Sequence, residues 1–115
     1  MDNIIENKSF EFAVRIVRLY RYLTDEKHEY VIAKQLLRCG TSIGANVAEA
    51  QKGQSKADFN AKMNIALKEA NETHYWLRLL HRTEYLTEAE FQSIEPEIKK
   101  IISILVSICK STNRK

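Results

Sequence analysis

The stretch "LLRCGTSIGANVAEAQKGQSKADF", residues 36–59, decides how the chain folds. It reads as helix on both sides, yet its middle carries Gly40, Gly44, Thr41, Ser42 and Asn46. Each of these costs a helix roughly 0.5–1 kcal/mol relative to the best formers. Something outside an isolated helix must offset that cost, and close packing against a neighbour does so. Advancing about 100° per residue places Ile32, Leu36, Cys39, Ile43, Val47 and Ala50 on one apolar stripe. Beside it Gly40, Gly44 and Ala48 recur every fourth residue, a ridge nearly free of side chains over which a second helix can approach closely.

The other side of the same helix groups Gln35, Arg38, Ser42, Asn46 and Glu49. Short Ser and Asn between one Arg and one Glu are unlike the Lys and Glu of a solvated face. The stripe reads as a hydrogen-bonded network at a semi-buried contact; a ligand site and a plain solvated face are the other readings.

Outward from this stretch, helix is the common pattern. Residues 9–23 place Phe12, Ile16, Leu19, Tyr20 and Leu23 at three-and-four spacing, with Ser9 as the expected N-cap and Arg15, Arg18 and Arg21 outside. The second helix is expected to stop near Gly53. Ser55 with Asp58 imitates a capping box and opens a third helix of about 28 residues. Thr87 with Glu90 opens a fourth, in which Pro96 should kink the helix or restart it. The tail from Ser111 onward is expected to fray. On the third helix Phe59, Met63, Ala66, Leu67, Ala70 and Leu77 form one apolar face, and Ile65, Trp76 and Leu80 a second; the second suggests contact with another subunit.

The totals agree with one helical domain over residues 1–115. With 44% hydrophobic and 29% charged residues, three glycines and one proline, the chain suits ordered helices better than a turn-rich β-sandwich. Four helices joined by short links predict an all-α, antiparallel up-and-down four-helix bundle. No apolar run nears the roughly 20 residues of a membrane span, and the first residues lack the order of a signal peptide, so a cytoplasmic protein is expected. Cys39 and Cys109 fall among apolar positions and read as buried, reduced thiols.

Chemistry of the common kinds finds no foothold. A di-iron bundle needs Glu-x-x-His pairs, but Asn71 precedes His74 and Arg78 precedes His81 at that spacing. Ser42 has no histidine at helical contact distance, and the glycines do not form a phosphate-cradling loop. No catalytic residue, metal or cofactor is expected. The net charge of +3 permits an acidic partner without requiring one. Arg15, Arg18 and Arg21 on the first helix, Lys52 and Lys56 at the second link, and Arg78 and Arg82 late in the third are the candidate contacts for RNA or DNA, with Arg114 and Lys115 closing the chain.

The elements "SIGANVAEA", "DF" and "ALKEANETHYWLRLL" stand in the order and spacing of the small bacterial four-helix-bundle proteins encoded in intervening sequences of 23S ribosomal RNA genes, sometimes labelled ribosomal protein-like. Residues 38–80 carry the resemblance. Arg38, Ser42, Asn46, Glu49, Asp58, Phe59, Glu69 and Glu72 match the motif. The resemblance implies a left-handed antiparallel bundle assembled as a homopentamer, with no established catalytic role. More distantly, the family is similar to the accessory protein of diversity-generating retroelements, a basic pentamer linked to nucleic acid. A protein-binding scaffold or adaptor without a nucleic-acid role is the competing reading.

Overall fold

A computed structural model describes residues 3–113. Four helices follow one another: α1 (Ile4–Asp25), α2 (Val31–Ala50), α3 (Lys56–Arg82) and α4 (Glu88–Asn113). Cross-helix contacts fix their directions. Ile16 meets Gly40 while Ser9 meets Gly44; Arg38 reaches Glu72 while Glu49 pairs with Lys62; His81 meets Glu88 while His74 meets Glu95. Each neighbour therefore runs antiparallel to the last, as expected for an up-and-down bundle.

Helix α1 begins five residues earlier than the expected cap. The Asn3 side chain accepts a hydrogen bond from the Glu6 N–H at 3.1 Å, so Asn3 and not Ser9 is the N-cap. Ser9 lies inside the helix, fully buried, its hydroxyl donating to the Glu6 carbonyl. A small residue is needed there, because α2 comes down on that turn. Helix α2 stops at Ala50, three residues short of Gly53, and its start is held by the Glu29 carboxylate, which accepts from the Ala33 N–H at 2.8 Å. Ser55 caps α3 through the Asp58 N–H. Thr87 and Glu90 form the full reciprocal box at α4, at 3.1 and 2.8 Å.

Of the kink or restart expected at Pro96, the restart does not occur: α4 runs through Pro96 to Asn113, and its tail departs from expectation as well. Pro96 and Gln92 are both exposed, so the carbonyl left without its amide partner faces solvent and water can serve it. The tail is helical as far as Asn113, with the Thr112 hydroxyl bonded to the Asn60 side chain of α3. Arg114 and Lys115 lie outside the described residues.

The interior is the apolar stripe of each helix. Phe12, Ile16 and Leu23 from α1 meet Leu36, Ile43 and Val47 from α2, Met63, Leu77 and Leu80 from α3, and Ile98, Ile101 and Leu105 from α4. Leu80 thus belongs to the core and not to a second face of α3, whereas Ile65 is exposed and Trp76 half-buried. Thr73 fills the remaining place on the α3 stripe. Its buried hydroxyl donates to the Glu69 carbonyl at 2.8 Å and lies 3.2 Å from the Cys39 sulfur. Both cysteines are buried and free.

The seams differ. Between α1 and α2 the chain approaches closely: a β-carbon at Gly44 would stand 3.1 Å from the Ser9 carbonyl oxygen, and one at Gly40 2.9 Å from two carbons of Ile16. Between α1 and α4 contact is thin, and a groove of about 740 Å³ opens, its floor formed by Val14, Leu19, Leu86 and Ile94.

Candidate functional site

The antiparallel course sends the C-terminal ends of α1 and α3 to the same end of the bundle. Arg18 and Arg21 therefore share that end with Arg78 and Arg82, while Lys52 and Lys56 sit at the opposite end, in and just after the α2–α3 link. The expected basic residues form two groups and not one patch. Arg18, Arg21, Arg78 and Arg82 are all exposed, and none makes an ion pair among the described residues.

Arg15 does not belong with them. Its guanidinium crosses the open seam, donating to the Ser93 carbonyl at 3.0 Å and the Ser93 hydroxyl at 2.5 Å, and pairs with Glu97. Glu11 and Glu90 line the same groove. Arg18 lines it as well, but three carboxylates outnumber the two arginines, so the interior of that groove is poorly suited to phosphate and Arg18 is available from its solvent side.

Of the carboxylates at the Arg-rich end, Asp25, Glu26 and Glu84 are exposed, and three others are engaged. Glu29 caps α2, Glu90 caps α4, and Glu88 meets His81 at 2.8 Å. His81 also stacks flat on Phe91, with ring centroids 4.2 Å apart. Two turns away His74 meets Glu95, also at 2.8 Å. The two histidines thus go to separate carboxylates, and among the described residues no three ligating side chains converge as a metal site. Between α3 and α4 lies a second, smaller groove of about 390 Å³, lined by Tyr75, Arg78, Leu79, His81, Arg82, Phe91 and Glu95.

The polar stripe of α2 is arranged differently from a continuous network. Ser42 donates to the Arg38 carbonyl at 2.7 Å and Asn46 to the Ser42 carbonyl at 2.8 Å, so both turn back on their own helix. Glu49 is exposed and lies 3.7 Å from Lys62. Arg38 makes the closer cross-helix contacts, to Glu72 at 2.5 Å and Glu69 at 3.5 Å, with Gln35 of its own helix at 3.4 Å. Glu72 also accepts from the Trp76 indole at 3.0 Å, and Tyr75 meets Trp76 edge-on with centroids 5.0 Å apart. Sequence reasoning named Arg38 but not this chain of contacts. The signal was available in Glu69, Glu72 and Trp76, which follow one another at three-and-four spacing on α3.

Gly40 and Gly44 face α1, and Ala48 continues the line beneath Glu6 and Phe10. Cys39 is chemically quiet. Burial pushes its thiol up to about 11, only partly opposed by the Thr73 hydroxyl, and burial raises Cys109 as well. Ser42, hydrogen-bonded to its own helix, has no base beside it. What the surface offers is exposed guanidinium groups and aromatic rings, which bind anions and planar groups. No described helix is long and apolar enough to cross a membrane.

Comparison with known proteins gives a consistent result. A crystal structure of a protein of unknown function from the S23 ribosomal protein family of Bacteroides thetaiotaomicron superposes with a TM-score of 0.90 at 57% identity, covering 92% of this chain and 98% of that one. Among curated proteins none matches. The family model for the 23S rRNA-intervening sequence protein matches residues 1–107. With nearly the whole chain matched, the protein belongs to the 23S rRNA-intervening sequence protein family.

Proposed function

We propose that the chain is a non-enzymatic, cytoplasmic, nucleic-acid-binding bundle that works as a homopentamer and holds structured RNA or DNA through phosphate contacts. The observation that carries this reading is the gathering of Arg18, Arg21, Arg78 and Arg82 at one end of the bundle, exposed and without ion pairs among the described residues. Isolated surface arginines are ordinary, but a ring of subunits would repeat this group around one rim and multiply a weak attraction.

Self-association has its own support. From Ile101 to Cys109 helix α4 carries no charge, and Ile102, Ile104, Val106 and Ile108 are not fully buried within one chain. These side chains widen the apolar face of α4 to about half the helix, leaving only the stripe of Ser103, Ser107 and Lys110 polar, and so broad an apolar face is normally covered.

The test is a gel-shift titration against a folded RNA, with particle mass from light scattering. Affinity falls steeply between about 50 and 200 mM salt, as counterion release requires. Charge reversal at Arg18, Arg21, Arg78 and Arg82 abolishes binding without changing particle mass. No shift at low salt removes the reading. Exposed Ile4 and Phe10 on α1 favour the alternative, a protein-binding adaptor, whose partner would survive that charge reversal.

A further inference from the structure

Tyr75, Arg78 and Arg82 stand at offsets of three and four on α3, so they form one row along its surface. Tyr75 is 52% exposed, yet its ring is not loose. Trp76 braces it edge-on at an interplanar angle of 74°, Glu72 holds the Trp76 indole, and Arg38 of α2 holds Glu72. One side of the phenol ring is backed by a chain of contacts running to another helix, and the rest is open. An aromatic ring fixed in this way loses little freedom when something stacks on it.

The charges alongside are arranged to match. Arg78 and Arg82 lie one turn apart, a separation comparable to the step between successive phosphates of an extended strand. Both line the α3–α4 groove. Glu95 lines it too, but its carboxylate is directed to His74, and that of Glu88 to His81, so neither pairs with the arginines. A Tyr platform beside two free guanidinium groups is the arrangement that reads a base face and its backbone together.

We propose that this row is a docking site for an unpaired stretch of nucleic acid, with a base stacked on Tyr75 and adjacent phosphates on Arg78 and Arg82. The proposal rests on the nucleic-acid reading above and narrows it to single strands, including the loops of a folded RNA. A paired base shows a groove only its edge, so a duplex can use the two arginines but not the tyrosine.

Trp76 is the only tryptophan and touches Tyr75, so its emission reports the site directly. The full chain is titrated at low salt with oligouridylate and, separately, with an RNA duplex of equal nucleotide count. Oligouridylate quenches Trp76 and binds more tightly than the duplex. Tyr75→Ala weakens oligouridylate binding about tenfold and leaves the duplex unaffected, while Tyr75→Phe restores it. Arg78→Ala with Arg82→Ala weakens both and lowers the salt slope by about 2. If the wild-type chain binds nucleic acid but prefers duplex, or Tyr75→Ala binds oligouridylate as well as wild type, this inference falls and the broader reading stands. If neither probe binds at low salt, both fall. Circular dichroism confirms that each variant keeps its helices, which the exposure of Tyr75, Arg78 and Arg82 leads one to expect.

Discussion

Helix α1 has two flanks and the molecule treats them oppositely. Against α2 it meets Gly40 and Gly44, where the gap is closed to backbone contact; against α4 it meets an open groove bridged by Arg15. Both flanks belong to one helix of ordinary amphipathic composition. On the α2 side a ridge of small residues lets the rods approach to backbone contact; on the α4 side Ala89 and Ser93 are small too, but the rods stand apart and leave the groove between them. The tight flank should resist any added atom, and the open one should accept it.

The largest expected effect is on the tight flank. Gly44→Val places side-chain carbons against the Ser9 carbonyl, a backbone group that cannot rotate away, and should destabilise the chain by about 3 kcal/mol in urea unfolding. A variant as stable as wild type would break the contrast.

Next comes alkaline pH, which probes the buried side of α2. Cys39 has a thiol raised to about 11 by burial, against 9.0 when exposed. The folded chain thus keeps a proton that the unfolded chain releases. Stability from this group is complete below about pH 9 and declines as pH rises toward 11, by roughly 2 kcal/mol in all. Cys39→Ala should remove that part of the slope, read from denaturant midpoints across the range.

On the open side, Glu84 in the link feeding α4 has a φ of 71°, left-handed backbone that glycine adopts more easily. The Tyr85 N–H bonds to the Leu80 carbonyl and the Glu84 N–H to that of His81, a helix-ending turn in which this position is most often glycine. Glu84→Gly should stabilise by about 1 kcal/mol and raise the melting temperature by a few degrees, measured by calorimetry.

The smallest effect sharpens the first. Ala89→Leu adds bulk to α4 where it faces the α1 groove, and should change stability by no more than about 0.5 kcal/mol. The same unfolding assay applied to both flanks then gives a sixfold difference for enlargement of a small residue, about 3 against about 0.5 kcal/mol.

What could be read from residue order follows the same division. Periodicity identified the faces of single helices, so the Leu36–Cys39–Ile43–Val47 stripe, the glycine ridge and the Thr87–Glu90 box were legible. The start of α1 was also written in the chain, as Asn3 and Glu6 ahead of an apolar run, but Ser9 offered a competing cap closer to the obvious stripe. Relations between helices were less legible. That Arg15 would meet Glu97 and Arg38 would meet Glu72 depends on how far one rod slides along the next. That offset is set by backbone approach and, at the α1–α2 and α3–α4 links, by left-handed corners at His28 and Glu84, of which the glutamate is a residue type that does not announce such a corner. Leu80 was misassigned for a related reason: late in a long helix a small error in phase moves a side chain from one face to another, and only the neighbours decide.

The thin contact between α1 and α4 also bears on how quickly the molecule can form. Since the first and last rods hardly need each other, most native contacts join segments that are consecutive along the chain, and little loop entropy is lost before they are rewarded. Each rod can settle on the one before it as it emerges from synthesis. Such a chain belongs with the helical proteins that fold within microseconds to milliseconds.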